Sequence, residues 1–107
     1  MLLLGPDPLG DDPSRWADLP KWAPYAGPGA WNDPDSLEVG NGAATGLTPA
    51  EQQSQLTLWA ISKAPLLLGV DMTNFDAGDL GMLKNDEVLA VDRDGGRPAT
   101  PVSQTTQ

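Results

Sequence analysis

The clearest pattern of apolar and polar positions lies in residues 48–65. Thr48-Pro49-Ala50-Glu51 has the spacing of a capping box, in which the side chains of Thr48 and Glu51 each bond the other's backbone amide. The pattern predicts a helix over 49–63, which Pro65 ends. Its apolar stripe consists of Leu56, Trp59, Ala60 and Lys63, with Gln52, Gln53 and Gln55 largely off it.

A continuous apolar run follows at 66–70, Leu-Leu-Leu-Gly-Val, without polar alternation. Such a run predicts a strand covered on both faces, as in a parallel sheet. Downstream, Asp76 suits the N-cap of a second helix, and Asn85 restarts the helical pattern for a short segment at 87–91. Residues 95–107 are rich in Gly, Pro, Thr, Ser and Gln and have no period, which predicts an unstructured tail.

The first part of the chain carries weaker patterns. Met1-Leu2-Leu3-Leu4 predicts the stub of a buried strand, because it lacks the basic flank and the length of a signal peptide. A loop, a helical turn that Pro20 breaks and a short buried strand are predicted next, at 5–14, 14–22 and 22–26. A long loop, 27–42, follows and ends in glycines and an asparagine that suit a tight reversal.

The predicted elements run strand, loop, helix, strand, helix. A helix between two buried strands is typical of a parallel α/β fold, which is therefore the predicted fold class. Two or three strands cannot close a sheet into a barrel, which needs about 250 residues. We therefore expect the chain to be part of a larger sheet.

Composition narrows the chemistry. The formal charge of −9 at pH 7 opposes binding to nucleic acid or to an anionic membrane surface, and no apolar run approaches the roughly 20 residues of a membrane span. The chain has no His and no Cys, so it cannot by itself form a Ser-His-Asp triad, a disulfide or a metal site with imidazole or thiolate ligands. Acid-base chemistry must use carboxylates, and we expect no cofactor and no metal.

The candidate site is the loop around Trp31-Asn32-Asp33-Pro34-Asp35. Pro28 and Pro34 fix their own φ angles and push the preceding residues toward extended backbone. A loop of this rigidity loses little conformational entropy on binding, and its two carboxylates beside a tryptophan suit a polyhydroxylated ligand. An Asx/Pro turn that leads into a short element is the alternative interpretation.

Three collinear motifs resemble one family. Residues 26–42 are similar to the A-G-P-G-x-W-N-D-P-D-x-L-x-x-G-N segment of glycoside hydrolase family 27, the α-galactosidase and melibiase family. Residues 58–72 are similar to its L-W-A-x-x-x-A-P-L-x-x-x-x-D-[LM] segment, and residues 85–94 to its N-x-E-V-I-A-V-[ND]-Q-D segment. The resemblance covers about residues 22–94.

This resemblance implies a (β/α)8 TIM barrel with a C-terminal β-sandwich. Residues 1–94 would be the last two to three βα units of the barrel, and 95–107 a linker or the start of the sandwich. The implied reaction is hydrolysis of terminal α-D-galactosides with retention, by two carboxylates about 5 Å apart. The family's nucleophile lies in an upstream K-x-D-type motif that this sequence lacks, so we expect the chain alone to be inactive. Asp7 is the candidate acid/base, or else an ordinary loop aspartate.

The resemblance also implies the substrate-binding residues. Asp35 matches the aspartate that lines the sugar pocket, and Ser36 stands where the family often has a methionine beside the ligand. Trp31 either stacks on a sugar face or anchors the loop in the core, and Asp33 either binds substrate or positions the loop. The expected partner is a galactoside or an oligosaccharide, and nothing in the pattern assigns an oligomeric state or a compartment.

Three alternatives stay open, one of which is a degenerate gene product that folds poorly and binds nothing. Within the class, the enzyme acts on β-L-arabinopyranosides or α-N-acetylgalactosaminides. From another class, the chain is a non-catalytic carbohydrate-binding module or an acidic calcium-binding module that uses Asp33, Asp35 and Asp71. Against calcium, the sequence has no D-x-D-x-D-G loop with a distal Glu.

Overall fold

The computed structural model describes residues 2–3, 18–40 and 47–103. Its elements in chain order are β1 Leu2–Leu3, α1 Leu19–Trp22, a 3₁₀ helix Ala23–Tyr25, β2 Asn32–Asp33, α2 Pro49–Ile61, α3 Ala77–Leu83 and α4 Asp86–Arg93. β1 and β2 pair in parallel, with Leu2 beside Asn32 and Leu3 beside Asp33. An isolated parallel bridge joins Leu37 to Leu68. The described part of the chain is therefore rich in helix, with short parallel strand pairs.

The capping signals in the sequence set the starts of the helices. The Thr48 hydroxyl accepts from the Glu51 amide at 3.2 Å, and the Glu51 carboxylate accepts from the Thr48 amide at 2.7 Å, which confirms the predicted capping box of α2. Asp76 caps α3 with its side chain, as predicted, and Asn85, where the helical pattern was expected to restart, caps α4 in the same way. The end of α2 was predicted less well. The helix stops at Ile61 rather than at 63, because the backbone turns left-handed at Lys63, where φ is 58°.

The helical turn predicted within 14–22 is present as α1, with 14–17 outside the described residues, but the role given to Pro20 and the strand predicted at 22–26 are wrong. Pro20 does not break a helix but lies in the first turn of α1, where the missing amide hydrogen leaves no helical bond unmade. Residues 22–26 were predicted as a strand, yet they form the end of α1 and the 3₁₀ helix. Of the residues in this segment only Ala23 is buried, whereas Trp22 and Tyr25 are exposed.

The predicted strand at 66–70 is reduced to a single bridge. The Leu37 amide donates to the Leu67 carbonyl at 2.7 Å, and the Gly69 amide donates to the Leu37 carbonyl at 2.9 Å. Leu67 and Leu68 remain 55% and 39% exposed, so the run is not covered on both faces by the described residues. A ladder needs a partner along its length, and the described chain supplies one at Leu37.

The core lies between α2 and the segment that follows β2. It contains Leu19, Leu37, Val39, Leu56, Trp59 and Ala64. Trp59 is therefore a core residue, as its place on the apolar stripe predicted. Residues 95–103 form neither helix nor strand, as expected for the tail, but Pro98 is buried and the Ala99 amide donates to the Ile61 carbonyl at 2.9 Å. The tail thus packs against the end of α2.

Two glycines, Gly40 and Gly81, differ in whether the structure could accept a larger residue at their position. Gly40 has a φ of +103°, and a Cβ there would overlap the Phe75 ring, whereas a Cβ on Gly81, inside α3, would meet nothing within 4 Å. We predict that Gly40→Ala lowers the free energy of unfolding by about 1–3 kcal/mol and that Gly81→Ala raises it by roughly 0.5–1 kcal/mol. Urea denaturation of both variants checks this, and a shift of the same sign in both would contradict it.

Candidate functional site

The segment that carries the candidate residues begins inside β2. Asn32 and Asp33 are both buried, and the Asn32 amide nitrogen donates to the Trp22 carbonyl at 2.7 Å. Asp33 Oδ1 accepts from the Asp35 amide at 2.9 Å, which closes an Asx turn over Pro34. The predicted turn is therefore present, and the parallel pairing of β2 with β1 fixes the strand from which it projects.

Asp35 has an unusual backbone. Its φ is +82°, a region that few residues other than glycine adopt, although Asp and Asn do so more readily than most. Its Oδ1 accepts from the Ser36 amide at 2.8 Å and lies 3.4 Å from the Ser36 hydroxyl. The Trp59 indole donates to the Asp35 carbonyl at 3.0 Å. Asp35 is thus held by Asp33 on one side and by α2 on the other.

The structure brings most of the predicted site residues together. Asp33, Asp35 and Ser36 form one hydrogen-bonded unit, and half-buried Trp31 stands directly before it in the chain. Asp7 lies outside the described residues. Asp71 is exposed and closes its own turn, since its Oδ1 accepts from the amide and the hydroxyl of Thr73. These bonds, that of the hydroxyl first, lower the pKa of the Asp71 carboxyl.

The described residues contain no metal-binding cluster and no membrane-spanning helix, and one of their cavities lies away from the candidate residues. No three His, Cys, Asp or Glu side chains of residues 2–3, 18–40 and 47–103 are grouped so as to hold a metal ion, so Asp33, Asp35 and Asp71 do not form such a set. Within the same residues, no helix combines the length and apolarity required to cross a membrane. A cavity of about 320 Å³ is lined by Ala23, Pro24, Ala26, Arg97, Pro98 and Thr100, none of them a candidate residue.

Two glutamines of α2 were placed off the apolar stripe, and this prediction is wrong. Gln52 and Gln55 are only 2% and 1% exposed. Gln55 Oε1 accepts from the Glu38 amide at 2.9 Å, and Gln52 Oε1 accepts from the Gly40 amide at 3.0 Å. Their spacing could have revealed that they are buried, because positions 52, 55, 56 and 59 lie on one helical face. We assigned that face by its apolar members alone.

A second cluster of charged groups joins the ends of α2 and α4. The buried Lys63 ammonium donates to the Val91 carbonyl and lies 3.7 Å from the Asp94 carboxylate. Asp92 Oδ1 is buried without a hydrogen-bond partner among the described residues. Burial raises the pKa of the Asp92 carboxyl, while the charges of Lys63 and Arg93 act in the opposite direction.

Comparison with known proteins gives one consistent group of relatives. A family model described as Alpha galactosidase A matches residues 16–94. The α-galactosidase of Oryza sativa subsp. japonica is 48% identical over 88 residues, which cover 82% of this chain and 20% of the rice protein. The α-N-acetylgalactosaminidase of Homo sapiens is 38% identical over 71 residues, which cover 66% of this chain and 16% of the human protein. The chain thus spans about a fifth or less of these curated relatives.

A solved structure extends the likeness to the backbone. The structure of α-galactosidase from Saccharomyces cerevisiae with raffinose matches with a TM-score of 0.74 at 34% identity. The match covers 80% of this chain and 19% of the yeast chain. The described elements are therefore arranged as in the corresponding part of that protein.

The raised pKa of Asp92 makes a prediction about pH. An acid whose pKa is higher in the folded state favours folding when protonated, so its contribution declines as pH rises from the unfolded value of 3.8 through the folded value. We predict that Asp92→Asn raises the melting temperature at pH 7 and that the gain shrinks as the pH falls to the unfolded value. Melting curves across this pH range check it. Asp86→Asn is the control for an exposed carboxylate, and an equal rise in both variants would contradict the prediction.

Proposed function

Since the chain belongs to the α-galactosidase A family, we propose that it is part of a retaining exo-glycosidase that hydrolyses terminal α-D-galactosides. The names of its relatives support a galactoside as the substrate, and the yeast structure was solved with raffinose. In this proposal residues 1–94 are the last two to three βα units of a (β/α)8 barrel. Residues 95–107 then lead toward a C-terminal β-sandwich.

The observation that carries the proposal is the fixed position of Asp35 within the segment that resembles the family motif. Its carbonyl is bonded by the Trp59 indole, and its amide by Asp33. Asp35 Oδ1 already accepts from Ser36, but an ionised carboxylate has about four acceptor sites. Capacity is therefore left for sugar hydroxyls. A carboxylate held in place before binding loses little entropy when the sugar arrives.

The neighbouring residues take supporting roles in the proposed pocket. Trp31 offers an aromatic face for the C–H bonds of the sugar, and Asp33 positions the loop through its bond to the Asp35 amide. Ser36 is smaller than the methionine often found there in the family. A Cβ on Gly69 would lie only 3.0 Å from the Ser36 Cβ, so the backbone at Gly69 passes close to Ser36. We expect residue 36 to affect which sugars the pocket accepts.

The proposed mechanism needs two carboxylates that flank the anomeric carbon about 5–5.5 Å apart. Asp33 and Asp35 lie on one turn and cannot flank a sugar from opposite sides. The resemblance to the family implies that the nucleophile lies on an upstream strand, in a K-x-D-type motif that this sequence lacks. Asp7 is proposed to protonate the leaving oxygen and then to activate water. It follows that the isolated chain lacks half of the machinery.

A chimera tests the proposed function. We define the rice chimera as the rice α-galactosidase in which residues 16–94 of this chain replace the matching segment. We expect it to hydrolyse an aryl α-galactoside, whereas the isolated chain does not. In the chimera, Asp35→Asn is expected to lower kcat/KM by about 10- to 100-fold, since a charged hydrogen bond to substrate is weakened. Asp86→Asn, the control with the same loss of charge, leaves it within about twofold of the unsubstituted chimera.

Two outcomes would contradict this proposal. One is a chimera that melts cooperatively and has no activity. The other is turnover by the isolated chain, which would refute an upstream nucleophile.

Asp7 is tested in a second chimera that carries residues 1–94. If Asp7 is the general acid, Asp7→Asn should slow an alkyl α-galactoside on the order of 10²-fold or more. A 2,4-dinitrophenyl galactoside should be slowed far less, because its leaving group departs without a proton. Asp12→Asn is the control from the same part of the sequence. Equal losses on both substrates would contradict the assignment, as would an inactive 1–94 chimera beside an active 16–94 chimera.

A further inference from the structure

We propose that Gln52, Gln55 and Trp59 of α2 are positioning residues for the sugar-binding segment 35–40. The inference rests on the proposed role of Asp35. All three side chains project from one face of α2. Each of them bonds a backbone atom of the segment and leaves the segment's own side chains uninvolved in that bond.

The three bonds are spread along the segment. The Trp59 indole donates to the Asp35 carbonyl at 3.0 Å. Gln55 and Gln52 then accept from the amides of Glu38 and Gly40 at 2.9 and 3.0 Å. The backbone of Leu37, between these points, bonds instead to residues 67 and 69. The segment is thus held by a strand-like bridge at one position and by helix side chains at the others.

The burial of these three side chains supports a role for their polar atoms in bonding the backbone of segment 35–40. Gln52, Gln55 and Trp59 are each no more than 2% exposed, and a buried amide is unfavourable unless it is bonded. Gln55 Nε2 has no partner among the described residues, although its Oε1 is bonded. An apolar side chain of similar volume would pack at position 55 without an unpaired donor. Such a side chain would, however, leave the Glu38 amide without its acceptor.

The bond from Trp59 bears most directly on the proposed site. Asp35 has a φ of +82°, which is less favourable for aspartate than an ordinary extended or helical backbone. The indole bond to its carbonyl opposes relaxation to those conformations. Such a relaxation would rotate the carboxylate away from the sugar. Loss of the bond should therefore weaken substrate binding more than it slows the chemical step.

Trp59→Phe in the rice chimera is the first test, because it removes the indole N–H and keeps an aromatic ring in the core. We expect KM for an aryl α-galactoside to rise about 5- to 10-fold, as for the loss of one hydrogen bond, with kcat within about twofold. Trp22→Phe is the control, since Trp22 is 38% exposed and its ring contacts Tyr25. An unchanged KM in a folded Trp59→Phe chimera would overturn the proposal.

Gln52→Met and Gln55→Met extend the test to backbone amides. Each removes one acceptor at similar volume, so Gln52→Met should speed hydrogen exchange at the Gly40 amide, and Gln55→Met at the Glu38 amide. The isolated chain and the chimera both allow this measurement, which requires no activity. If the Trp59→Phe chimera does not fold, KM is measured for the Gln52→Met chimera instead, and an unchanged KM would overturn the proposal.

The two proposals fail differently. An inactive unsubstituted chimera counts against the glycosidase function alone. Unaltered exchange at both amides counts against the positioning role alone.

Discussion

The hydrogen bonds between α2 and the segment 35–40 are the constraint on which the described structure depends. This segment crosses the core with Leu37 and Val39 fully buried. Its backbone polar groups therefore need partners inside the protein. The single bridge to residues 67–69 supplies them at Leu37, and the side chains of α2 supply them at Asp35, Glu38 and Gly40. The helix thus fills two needs at once, because the same face that buries Leu56 also completes the hydrogen bonding of the loop.

The helix caps and the turn could be predicted because each is formed by residues close together in the sequence. The capping box at Thr48 and the caps at Asp76 and Asn85 involve residues two or three positions apart, so sequence spacing suffices to identify them. The same is true of the turn at Asp33, whose side chain bonds the amide two residues on. The motif that contains Asp35 was recognised by its resemblance to a family. Its left-handed backbone was not predicted, and its carbonyl accepts a hydrogen bond from Trp59, 24 residues away, which sequence spacing does not reveal.

The failures have non-local causes. The apolar run at 66–70 had the composition of a covered strand, but composition cannot reveal how many partners a strand finds, and the described chain offers Leu37. Pro20 was interpreted as a helix breaker because its position within the helix was unknown. In the first turn it is harmless. The two glutamines were assigned to solvent by residue type, whereas their place was decided by the amides of Glu38 and Gly40, twelve or more residues away.

The way the segment is held has a consequence for how its chemistry can change. The supports from α2 attach to backbone atoms, which every residue has, so they are insensitive to the side chain at position 36. Ser36 can therefore stand where the family often has methionine without loss of any of the three bonds. Position 35 is more restricted, since the residue there must tolerate a φ of +82° and, in the role proposed for it, also present a carboxylate. Aspartate meets both conditions, because its short polar side chain bonds locally to Ser36. A frame fixed by backbone contacts thus allows residue 36 to vary, as its proposed role in sugar discrimination requires, while it confines position 35 to very few residue types.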